Sequence, residues 1–245
     1  MATGKVALVT GANKGLGKEV VRQLANLGVT VLLGSRDQSR GREAVNELLG
    51  GELPVSCVEI DVTNPQSVSA VADLIRREHG HLDILINNAG IYIPCPAFEI
   101  TAKEMRLTFE TNVFAVVTVT HAMLPLLRRA PAARVVNVAS TTASQALTAD
   151  PKTMFGLENN TLAYASSKSA VTMLTLQYAN AMRRDPAYAH IKVNAATPGY
   201  IATDLNNHTG TRTVAQGAQI VVKLATLPDN GPSGGFFNDS GPVPW

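Results

Sequence analysis

The first thirty residues read as a short apolar strand, a glycine-rich turn and a helix. Residues 5–9 are mostly apolar, as in a buried parallel strand, and a helical pattern runs from the turn to about residue 27. The turn between them, residues 10–17, reads T-G-A-N-K-G-L-G. Glycines let the backbone approach a ligand closely, and the free N–H groups at the start of the helix attract an anion. The segment therefore predicts a parallel α/β sheet with a phosphate-binding loop, although its spacing, G-x-x-x-G-x-G, differs from the dinucleotide fingerprint G-x-G-x-x-G.

Strand-like and helix-like segments continue to alternate along the chain. We expect further strands at residues 29–34, 55–60, 82–87, 134–139, 191–196 and 235–237, and helices at 39–49, 65–79, 101–129, 162–184 and 213–226. The helix at 101–129 is expected in two pieces, and Ser39 is expected to cap its own helix. Such alternation predicts a doubly wound parallel sheet of about seven strands with helices on both faces. The length fits one domain, spanning residues 1–245.

Small or polar residues directly follow three of the predicted strands. Asn87 ends the fourth strand, Ser140 follows the fifth, and Pro198-Gly199 follows the sixth. Open parallel sheets bind ligands at the edge formed by the carboxyl ends of their strands. The order of these segments therefore predicts that they meet at one ligand-binding edge.

Tyr164 and Lys168 lie four residues apart in the predicted helix at 162–184. This spacing places both side chains on one face of a helix, one turn apart. A cation beside a phenol favours the phenolate and lowers its pKa, so such a Tyr can exchange a proton with a substrate oxygen near neutral pH. A surface Tyr beside a surface Lys would give the same pattern, and the pair alone leaves both interpretations open.

Several motifs occur in one order along the chain. They are Thr10-Gly11-x-x-x-Gly15-x-Gly17, Asn87-Asn88-Ala89-Gly90, Asn112, Ser140, Tyr164-x-x-x-Lys168 and Pro198-Gly199. This ordered set resembles the short-chain dehydrogenase/reductase family over nearly all of the chain. The glycine-rich turn and the C-terminal residues 234–245 look most like its carbonyl-reductase-like members. The resemblance implies a Rossmann-type fold and hydride transfer between a nicotinamide coenzyme and a carbonyl group.

Four residues form the expected catalytic set. Tyr164 is the expected proton donor during reduction, and the resemblance implies that Lys168 also holds the nicotinamide ribose. The Ser140 hydroxyl can hydrogen-bond the substrate oxygen, although a Ser at that position is also an ordinary turn cap. The resemblance implies that Asn112 supports a water that links Lys168 to solvent. The alternative for Asn112 is a structural residue that bonds the backbone, because an Asn in an apolar helix must find partners.

The expected coenzyme contacts come from the glycine-rich turn, from the ends of several strands and from the catalytic helix. They are Gly11, Asn13, Lys14, Gly15, Leu16, Gly17, Arg36, Asp61, Val62, Asn88, Ala89, Gly90, Tyr164, Lys168, Pro198, Gly199 and Thr203. By resemblance, Thr203 contacts the nicotinamide carboxamide and Asp61 lies near the adenine. The alternative for Asp61 is a capping acid before Asn64-Pro65. The resemblance also implies that Asn88 partly braces the sheet.

Coenzyme selectivity depends on the residues that follow the second predicted strand. Distance from the glycines alone would point to Asp37 as an acid that binds the ribose hydroxyls of NAD. The strand is expected to end at Gly34, however, so that Asp37 comes later and starts the next turn and helix. Arg36 can pair with the 2′-phosphate of NADP in a bidentate fork, and Lys14 adds a second cation. We therefore expect NADP (NADPH), with two solvated surface cations as the alternative interpretation.

Residues 143–161 look like an insertion relative to compact family members. The insertion carries Met154, Phe155 and Leu157, and exposed apolar area costs about 25 cal/mol per Å². These side chains are therefore expected to fold back over the pocket mouth or over the helix face that commonly forms the family's dimer contact, with a solvated surface loop as the alternative. A monomer or a homodimer is the expected assembly.

The expected substrate pocket has apolar walls. They come from residues 91–98, from Phe155 and Leu157, and from residues 200–205 in a substrate loop at 200–212. Apolar walls with few charges favour an apolar, often aromatic, carbonyl compound as substrate.

Composition disfavours several other classes of protein. The net charge is +2 with dispersed basic residues, so no nucleic-acid surface is expected. The apolar segment 113–127 is interrupted by polar residues, and we expect a buried helix there and no membrane span. Two cysteines and five histidines show no metal-ligand spacing, so no metal is expected. A first strand at residue 5 leaves no room for a signal peptide, and a cytoplasmic location is expected.

Two other functions stay open at this point. One is an NADP-dependent alcohol dehydrogenase that works oxidatively in a pathway, since a sequence does not set the direction of a reversible reaction. The other is a catalytically silent NADP-binding regulator. Such regulators typically lack the Tyr and Lys that this chain has at positions 164 and 168.

Overall fold

The computed structural model describes residues 4–48, 53–157 and 159–245, and in them one sheet has the strand order β3-β2-β1-β4-β5-β6-β7-β8. Its strands are β1 (Val6–Val9), β2 (Thr30–Ser35), β3 (Val55–Glu59), β4 (Ile84–Asn87), β5 (Arg134–Val138), β6 (Lys192–Ala196), β7 (Phe236–Asn238) and β8 (Gly241–Pro242). Strands β1 to β7 pair in parallel, and β8 runs antiparallel to β7. The predicted doubly wound parallel sheet is confirmed, with β8 added at one edge.

Helices connect these strands and cover both faces of the sheet. In the described residues they are α1 (Gly15–Asn26), α2 (Gln38–Leu48), α3 (Pro65–Glu78), α4 (Ala102–Phe109), α5 (Ala115–Leu127), α6 (Gln145–Ala149), α7 (Met154–Leu157), α8 (Leu162–Arg184) and α9 (Val214–Ala225). A π-helix, Glu110–Phe114, joins α4 to α5, so the predicted pair of helical pieces forms one continuous passage. Short 3₁₀ helices span Thr141–Ala143 and Asp204–Asn206.

The central strand β1 shows why its sequence is apolar throughout. Ala7 and Val9 belong to the core on one face, with α1 and α9, whereas Val6 and Leu8 belong to the core on the other face, with α3 and α5. Successive side chains of a strand point to opposite faces, so a strand covered on both sides needs apolar residues at every position.

The start of α2 differs from the expected one. Asp37 accepts hydrogen bonds from the backbone N–H groups of Ser39 (2.9 Å) and Arg40 (3.1 Å), so it acts as the cap that was expected from Ser39. Strand β2 also extends through Ser35, one residue beyond the expected end. The placement of Asp37 in the turn before a helix agrees with the prediction, while residue 49 of the predicted helix lies outside the described residues.

The passage Ala102–Leu127 is more apolar than expected. It covers 26 residues with a mean hydropathy of 1.3 in its most apolar window, which reaches the length and composition of a membrane-spanning helix. Half of that window is buried inside the fold. In this structure α5 packs against α3 and the sheet, and its buried residues belong to the core of that face. Core packing therefore accounts for its composition, and the expectation that no stretch would be long and apolar enough was wrong.

The strand order reverses between β1 and β4. From β1 the chain moves outward to β2 and β3, and β4 then pairs with β1 on its other side. Such a reversal opens a crevice at the carboxyl ends of the two strands, where open α/β sheets bind ligands. The glycine-rich turn follows β1 and the Asn88-Ala89-Gly90 segment follows β4, so both lie at this crevice.

Candidate active site

Tyr164 and Lys168 lie near the start of α8 and approach each other beside the end of β5. The Lys168 Nζ lies 5.7 Å from the centroid of the Tyr164 ring. Only 4% of Lys168 is exposed, and Tyr164 is half-buried. The Lys168 Nζ donates a 2.8 Å hydrogen bond to the backbone carbonyl of Val138, the last residue of β5. The pair therefore belongs to a buried site at the sheet edge and is not a surface pair.

Burial dominates the acid–base properties of both side chains. Removal from water raises the pKa of Tyr164 to about 12, and a side-chain hydrogen bond with Ser140 opposes that rise. Burial lowers the pKa of Lys168 to about 8. The expected depression of the Tyr164 pKa by Lys168 is therefore wrong for this structure, in which the Lys168 amine bonds to the Val138 carbonyl. A Tyr with a raised pKa keeps its proton at neutral pH, as a proton donor must.

The lowered pKa of Lys168 makes stability depend on pH. The unfolded chain keeps this proton up to about pH 10.5, whereas the folded protein releases it near pH 8. The unfolded state therefore binds more protons between these values, and stability rises with pH there. We expect the unfolding free energy of the wild type, relative to Lys168→Met, to increase by about 2 kcal/mol between pH 7.5 and 9.5. Urea denaturation of both proteins at the two pH values measures it.

Replacement of an exposed lysine provides the control for this prediction. Lys103 lies on α4 with an exposed side chain, so Lys103→Met should leave the pH dependence of the wild type unchanged. Parallel stability curves for the wild type and Lys168→Met would show that Lys168 keeps its proton in the folded protein over this range.

Ser140 has the role of turn cap, one of the two roles that the sequence left open. It precedes the 3₁₀ helix Thr141–Ala143, and its Oγ accepts hydrogen bonds from the backbone N–H (3.3 Å) and the hydroxyl (3.0 Å) of Thr142. The same side chain hydrogen-bonds with Tyr164. The turn thus orients the Ser140 hydroxyl towards Tyr164.

Asn112 lies in the π-helix between α4 and α5 and bonds to backbone on a neighbouring segment. Its Oδ1 accepts from the Ile91 N–H (2.8 Å), and its Nδ2 donates to the Ile91 carbonyl (3.0 Å) and to the Ser167 Oγ (3.0 Å). This is the structural alternative raised for an Asn in an apolar helix. π-Helical turns occur frequently at functional sites, because they place a side chain or carbonyl where a regular helix would not.

Gly90 brings Asn112 and Lys168 together. A Cβ at position 90 would lie 3.3 Å from the Asn112 Oδ1 and 3.4 Å from the Lys168 Nζ. The absence of a side chain therefore lets the segment after β4 pass between α8 and the π-helix. The residues that the sequence assigned to a proton relay are thus neighbours in the fold.

The glycine-rich turn is fastened to the segment after β4. The Asn88 Nδ2 donates to the carbonyls of Thr10 (2.8 Å) and Gly11 (3.0 Å), so Asn88 braces the turn as well as the sheet edge. A Cβ on Gly17 would lie only 2.6 Å from the Asn88 Nδ2. Gly11 has a φ of +61°, and a Cβ there would lie 2.8 Å from the Ala89 Cα. These glycines let the turn and the segment after β4 approach each other closely, and the two segments together form the backbone cradle of the crevice.

Of the other residues of the glycine-rich turn, some lie at the crevice and one lies in the core. Lys14 occupies the N-cap position of α1 without capping it through its side chain. The N–H groups of the first helical turn are thus not occupied by that side chain, as an anion site requires. Leu16 is buried in the core on the α1 face, so its contribution to a coenzyme site is limited to its backbone. Asn13 is half-buried beside Lys14.

A shallow hollow lies beyond the glycine-rich turn. Its walls come from the ends of β1 and β4, from the segment after β3 and from the α4–α5 passage, and they are Thr10, Val62, Asn87, Ala89, Thr111, Ala115, Val116 and Val119. Val62 thus contributes one of its apolar walls. Asp61 accepts from the Thr63 N–H at 2.9 Å, while Asn64 caps α3, so Asp61 shapes the turn before the helix cap.

The two cations expected to select the coenzyme have different surroundings. Arg36 is exposed and follows β2, next to Asp37 in the turn before α2. The Lys14 Nζ lies 2.7 Å from a carboxylate oxygen of Asp204 in the substrate loop. Both cations therefore lie at the surface, Lys14 in an exposed ion pair and Arg36 in contact with solvent.

The segment after β6 turns sharply and then meets the glycine-rich turn. Gly199 has a φ of +75°, and a Cβ there would lie 2.7 Å from a guanidinium nitrogen of Arg212, which donates to the Pro198 carbonyl (2.9 Å). Thr203 follows, and a Cβ placed on Gly15 would lie 3.5 Å from its methyl group. Thr203 is thus adjacent to the crevice, as expected of a residue that contacts the coenzyme.

The insertion is tied to the neighbouring loop but leaves two apolar side chains exposed. Backbone hydrogen bonds join Cys95 to Asn160 (3.2 Å) and Ala97 to Asn159 (2.9 Å). Met154 is 58% exposed and Leu157 is 74% exposed. The expectation that these side chains fold back onto the protein is therefore wrong for both, while Phe155 is half-buried.

The contacts of three residues of the site were not predicted from the sequence. Tyr92 packs edge-on against Tyr164 with ring centroids 5.2 Å apart. Ser167 joins Asn112 to α8, and its hydroxyl donates to the Tyr164 carbonyl (2.7 Å). Asp204 pairs with Lys14. Ser167 lies inside the Tyr-Lys motif and was the one most open to prediction, because the other two depend on contacts between distant segments.

Comparison with known proteins gives consistent matches over the whole fold. Residues 5–213 match the family model described as short chain dehydrogenase. The chain is 36% identical to "Carbonyl reductase [NADPH] 1" of Rattus norvegicus, with 98% of each chain covered. It is 35% identical to (−)-isopiperitenone reductase of Mentha piperita, with 95% of this chain and 96% of that one covered. An NADPH-bound carbonyl reductase from chicken fatty liver superposes with a TM-score of 0.85 at 28% identity, with both chains fully covered. Salutaridine reductase from Papaver somniferum superposes with a TM-score of 0.80, also at 28% identity, over 96% of this chain and 99% of that one.

Proposed function

Because this chain belongs to the short-chain dehydrogenase family, we propose that it is an NADP-dependent oxidoreductase that reduces a ketone or aldehyde to an alcohol with NADPH. The observation that carries the proposal is the meeting of Tyr164, Ser140 and Lys168 at the sheet edge that also holds the glycine-rich cradle. The names of the carbonyl reductase relatives, which include NADPH, support the same reaction and coenzyme.

Each side chain of the site has its own role in the proposed reaction. The nicotinamide supplies the hydride, and the protein must position the carbonyl and manage one proton. Ser140 and Tyr164 donate hydrogen bonds to the carbonyl oxygen, and Tyr164 transfers its proton as negative charge develops there. Lys168 provides positive charge behind Tyr164 once it is protonated, and Asn112 holds the backbone beside it. The reverse reaction uses the same groups, so oxidation of an alcohol with NADP⁺ is part of the proposal.

The residues present fit a phosphorylated nicotinamide coenzyme. The N–H groups at the start of α1, directly after the glycine-rich turn, would hold a pyrophosphate, and Asp61 and Val62 after β3 would lie near an adenine. Arg36 and Lys14 would hold the 2′-phosphate, since a guanidinium and an ammonium are the side chains that bind phosphate groups. Asp37, the acid nearest to the end of β2, has a carboxylate oxygen engaged by its own turn, which supports NADP over NAD.

The side chains around the mouth of the expected substrate pocket support an apolar carbonyl compound as substrate. Tyr92 packs on Tyr164, and Phe155, Tyr200 and Leu205 lie on the insertion and the substrate loop. Tyr200 and Leu205 are partly exposed. Partly exposed apolar side chains around a polar catalytic centre gain free energy when an apolar substrate covers them.

A panel of carbonyl compounds tests the function and the substrate class together. We expect NADPH consumption with aryl ketones, aldehydes and quinones, and kcat/KM values about a hundred-fold higher for them than for charged sugar phosphates, because an unpaired charge is costly to bring into an apolar site. Absorbance of NADPH at saturating and limiting substrate gives kcat/KM for each compound.

Other outcomes of this panel would contradict the proposal. A strict preference for sugar phosphates would contradict the apolar pocket. Tight NADPH binding without consumption by any member of the panel would favour a silent regulator. Turnover confined to alcohol oxidation with NADP⁺ would favour a dehydrogenase that works oxidatively.

Exposed apolar side chains favour the homodimer over the monomer as the proposed assembly. Phe114 of the π-helix, Val117 of α5 and Met173 of α8 are all exposed large side chains, and the insertion does not cover them. The π-helix packs against both α5 and α8. A second copy of the chain packed there would remove this area from water.

A further inference from the structure

The glycine-rich turn and the substrate loop are joined by an ion pair across the proposed coenzyme crevice. The Lys14 Nζ lies 2.7 Å from the Asp204 Oδ2, although the two residues are 190 positions apart in the sequence. The other carboxylate oxygen, Oδ1, lies 2.8 Å from the Nε2 of His208. The hydrogen bond from Lys14 lowers the pKa of Asp204, so this carboxyl is ionised and bound to Lys14.

The loop itself holds Asp204 in position. The Asn206 side chain accepts from the Thr203 N–H (3.2 Å) and donates to the Ile201 carbonyl (2.9 Å), which closes the turn around Asp204. Asn207 and His208 both have positive φ values, 52° and 60°, which fix a tight reversal of the backbone immediately after it. The carboxylate is therefore presented to Lys14 by a formed turn.

Lys14 is also one of the two cations proposed to bind the 2′-phosphate of the coenzyme. Its ammonium is a compact charge on a flexible stem, which can move from one anion to another. The side chains of Lys14 and Asp204 are 61% and 50% exposed, and exposed ion pairs of this kind are weak and easily exchanged. A phosphate group carries more charge than a carboxylate and offers more acceptor oxygens.

We propose that Asp204 determines coenzyme selectivity, because its carboxylate competes with the 2′-phosphate of NADPH for Lys14. The inference rests on the proposed function, since it requires NADPH as coenzyme. NADPH must break the Lys14–Asp204 pair to gain the second cation, and this cost lowers its affinity. NADH has no 2′-phosphate, so it leaves the pair in place. Asp204 therefore makes the affinities for NADPH and NADH more similar than they would be without it. When Lys14 leaves Asp204 for the 2′-phosphate, the substrate loop is released from the glycine-rich turn.

The dissociation constants of NADPH and NADH for Asp204→Asn test the proposal. Asparagine keeps the size and hydrogen-bonding shape of the side chain and removes the charge. We expect NADPH to bind up to about five-fold more tightly than to the wild type, the equivalent of an exposed ion pair worth about 1 kcal/mol, and NADH to bind equally well. Titrations followed by coenzyme fluorescence, at one pH and low ionic strength, measure both constants. The gain should shrink as salt is added, because the pair is exposed.

Two further variants separate competition from a general effect of charge. In a Lys14→Met background, Asp204→Asn should no longer change NADPH affinity, because the shared partner is gone. Asp73→Asn makes the same change of charge at an ion pair with Arg76 that is confined to α3, and it should leave both affinities unchanged.

Three results would overturn the proposal. Weaker binding of both coenzymes to Asp204→Asn would show that the pair is a latch over any bound coenzyme. A gain for NADPH that persists without Lys14 would reveal a long-range effect of charge, and an unchanged NADPH affinity would show that no competition exists. A wild-type protein that binds no NADPH would overturn the proposed function itself, whereas absent carbonyl turnover would leave the binding result intact.

Discussion

Replacing Tyr164 by Phe should lower carbonyl turnover about a thousand-fold while NADPH binding stays within about two-fold of the wild type. The Phe ring keeps the edge-on contact with Tyr92 and the position over Lys168, so packing is preserved. Only the hydroxyl is lost, and with it the proton that the developing alkoxide must receive. Initial rates of NADPH consumption and the dissociation constant of NADPH measure the two quantities separately.

The same chemical change elsewhere on the helix serves as the control. Tyr178 lies on α8 and is partly buried, and Tyr178→Phe removes a hydroxyl far along the helix from the catalytic pair. This variant should keep most of the wild-type rate. Retention of a tenth of the wild-type rate by Tyr164→Phe would refute its role as proton donor.

Removal of both cations, Lys14→Met with Arg36→Met, should weaken NADPH binding about a hundred-fold. Each charge-assisted hydrogen bond to the phosphate should contribute about 1.5 kcal/mol to the binding free energy. This value is the lower end of the usual range, which applies because both side chains are exposed. NADH binding should change by less than about three-fold, because NADH lacks the phosphate that these residues contact. Titration of each coenzyme into the wild type and the double variant measures the change.

A neighbouring arginine gives the matched control for this pair. Arg40 lies four residues after Arg36, and its Nε is 3.6 Å from a carboxylate oxygen of Asp37. Arg40→Met should leave the ratio of the two affinities near that of the wild type. An equal loss of NADPH and NADH affinity in the double variant would show that Lys14 and Arg36 do not read the 2′-phosphate.

The fold was predictable because local patterns determine it. Apolar β-branched runs mark the strands, and the Asn64-Pro65 cap and the Tyr164–Lys168 spacing mark helices whose periodicity is clear along the chain. Strands buried on both faces need apolar residues at every position, so their sequences identify them even before the sheet order is known. The candidate catalytic side chains followed from the same order of segments.

Properties that depend on burial or on distant contacts were not predictable. The pKa of Lys168 follows from its removal from water, which the spacing of the motif does not contain. The exposure of Leu157 depends on how the insertion packs. The Lys14–Asp204 pair joins two loops that are separate in the sequence and meet only through the strand order.

The eighth strand determines how the sheet ends. β8 has only two residues, and one of them, Pro242, has no backbone N–H to donate to a further strand. An open edge strand templates the addition of strands from other molecules, which leads to domain swapping or to fibres. A short edge strand that contains proline offers almost no such template. On this side the sheet is therefore terminated, and another copy of the protein has to approach the helical faces, where contacts are made by side chains and can be selective.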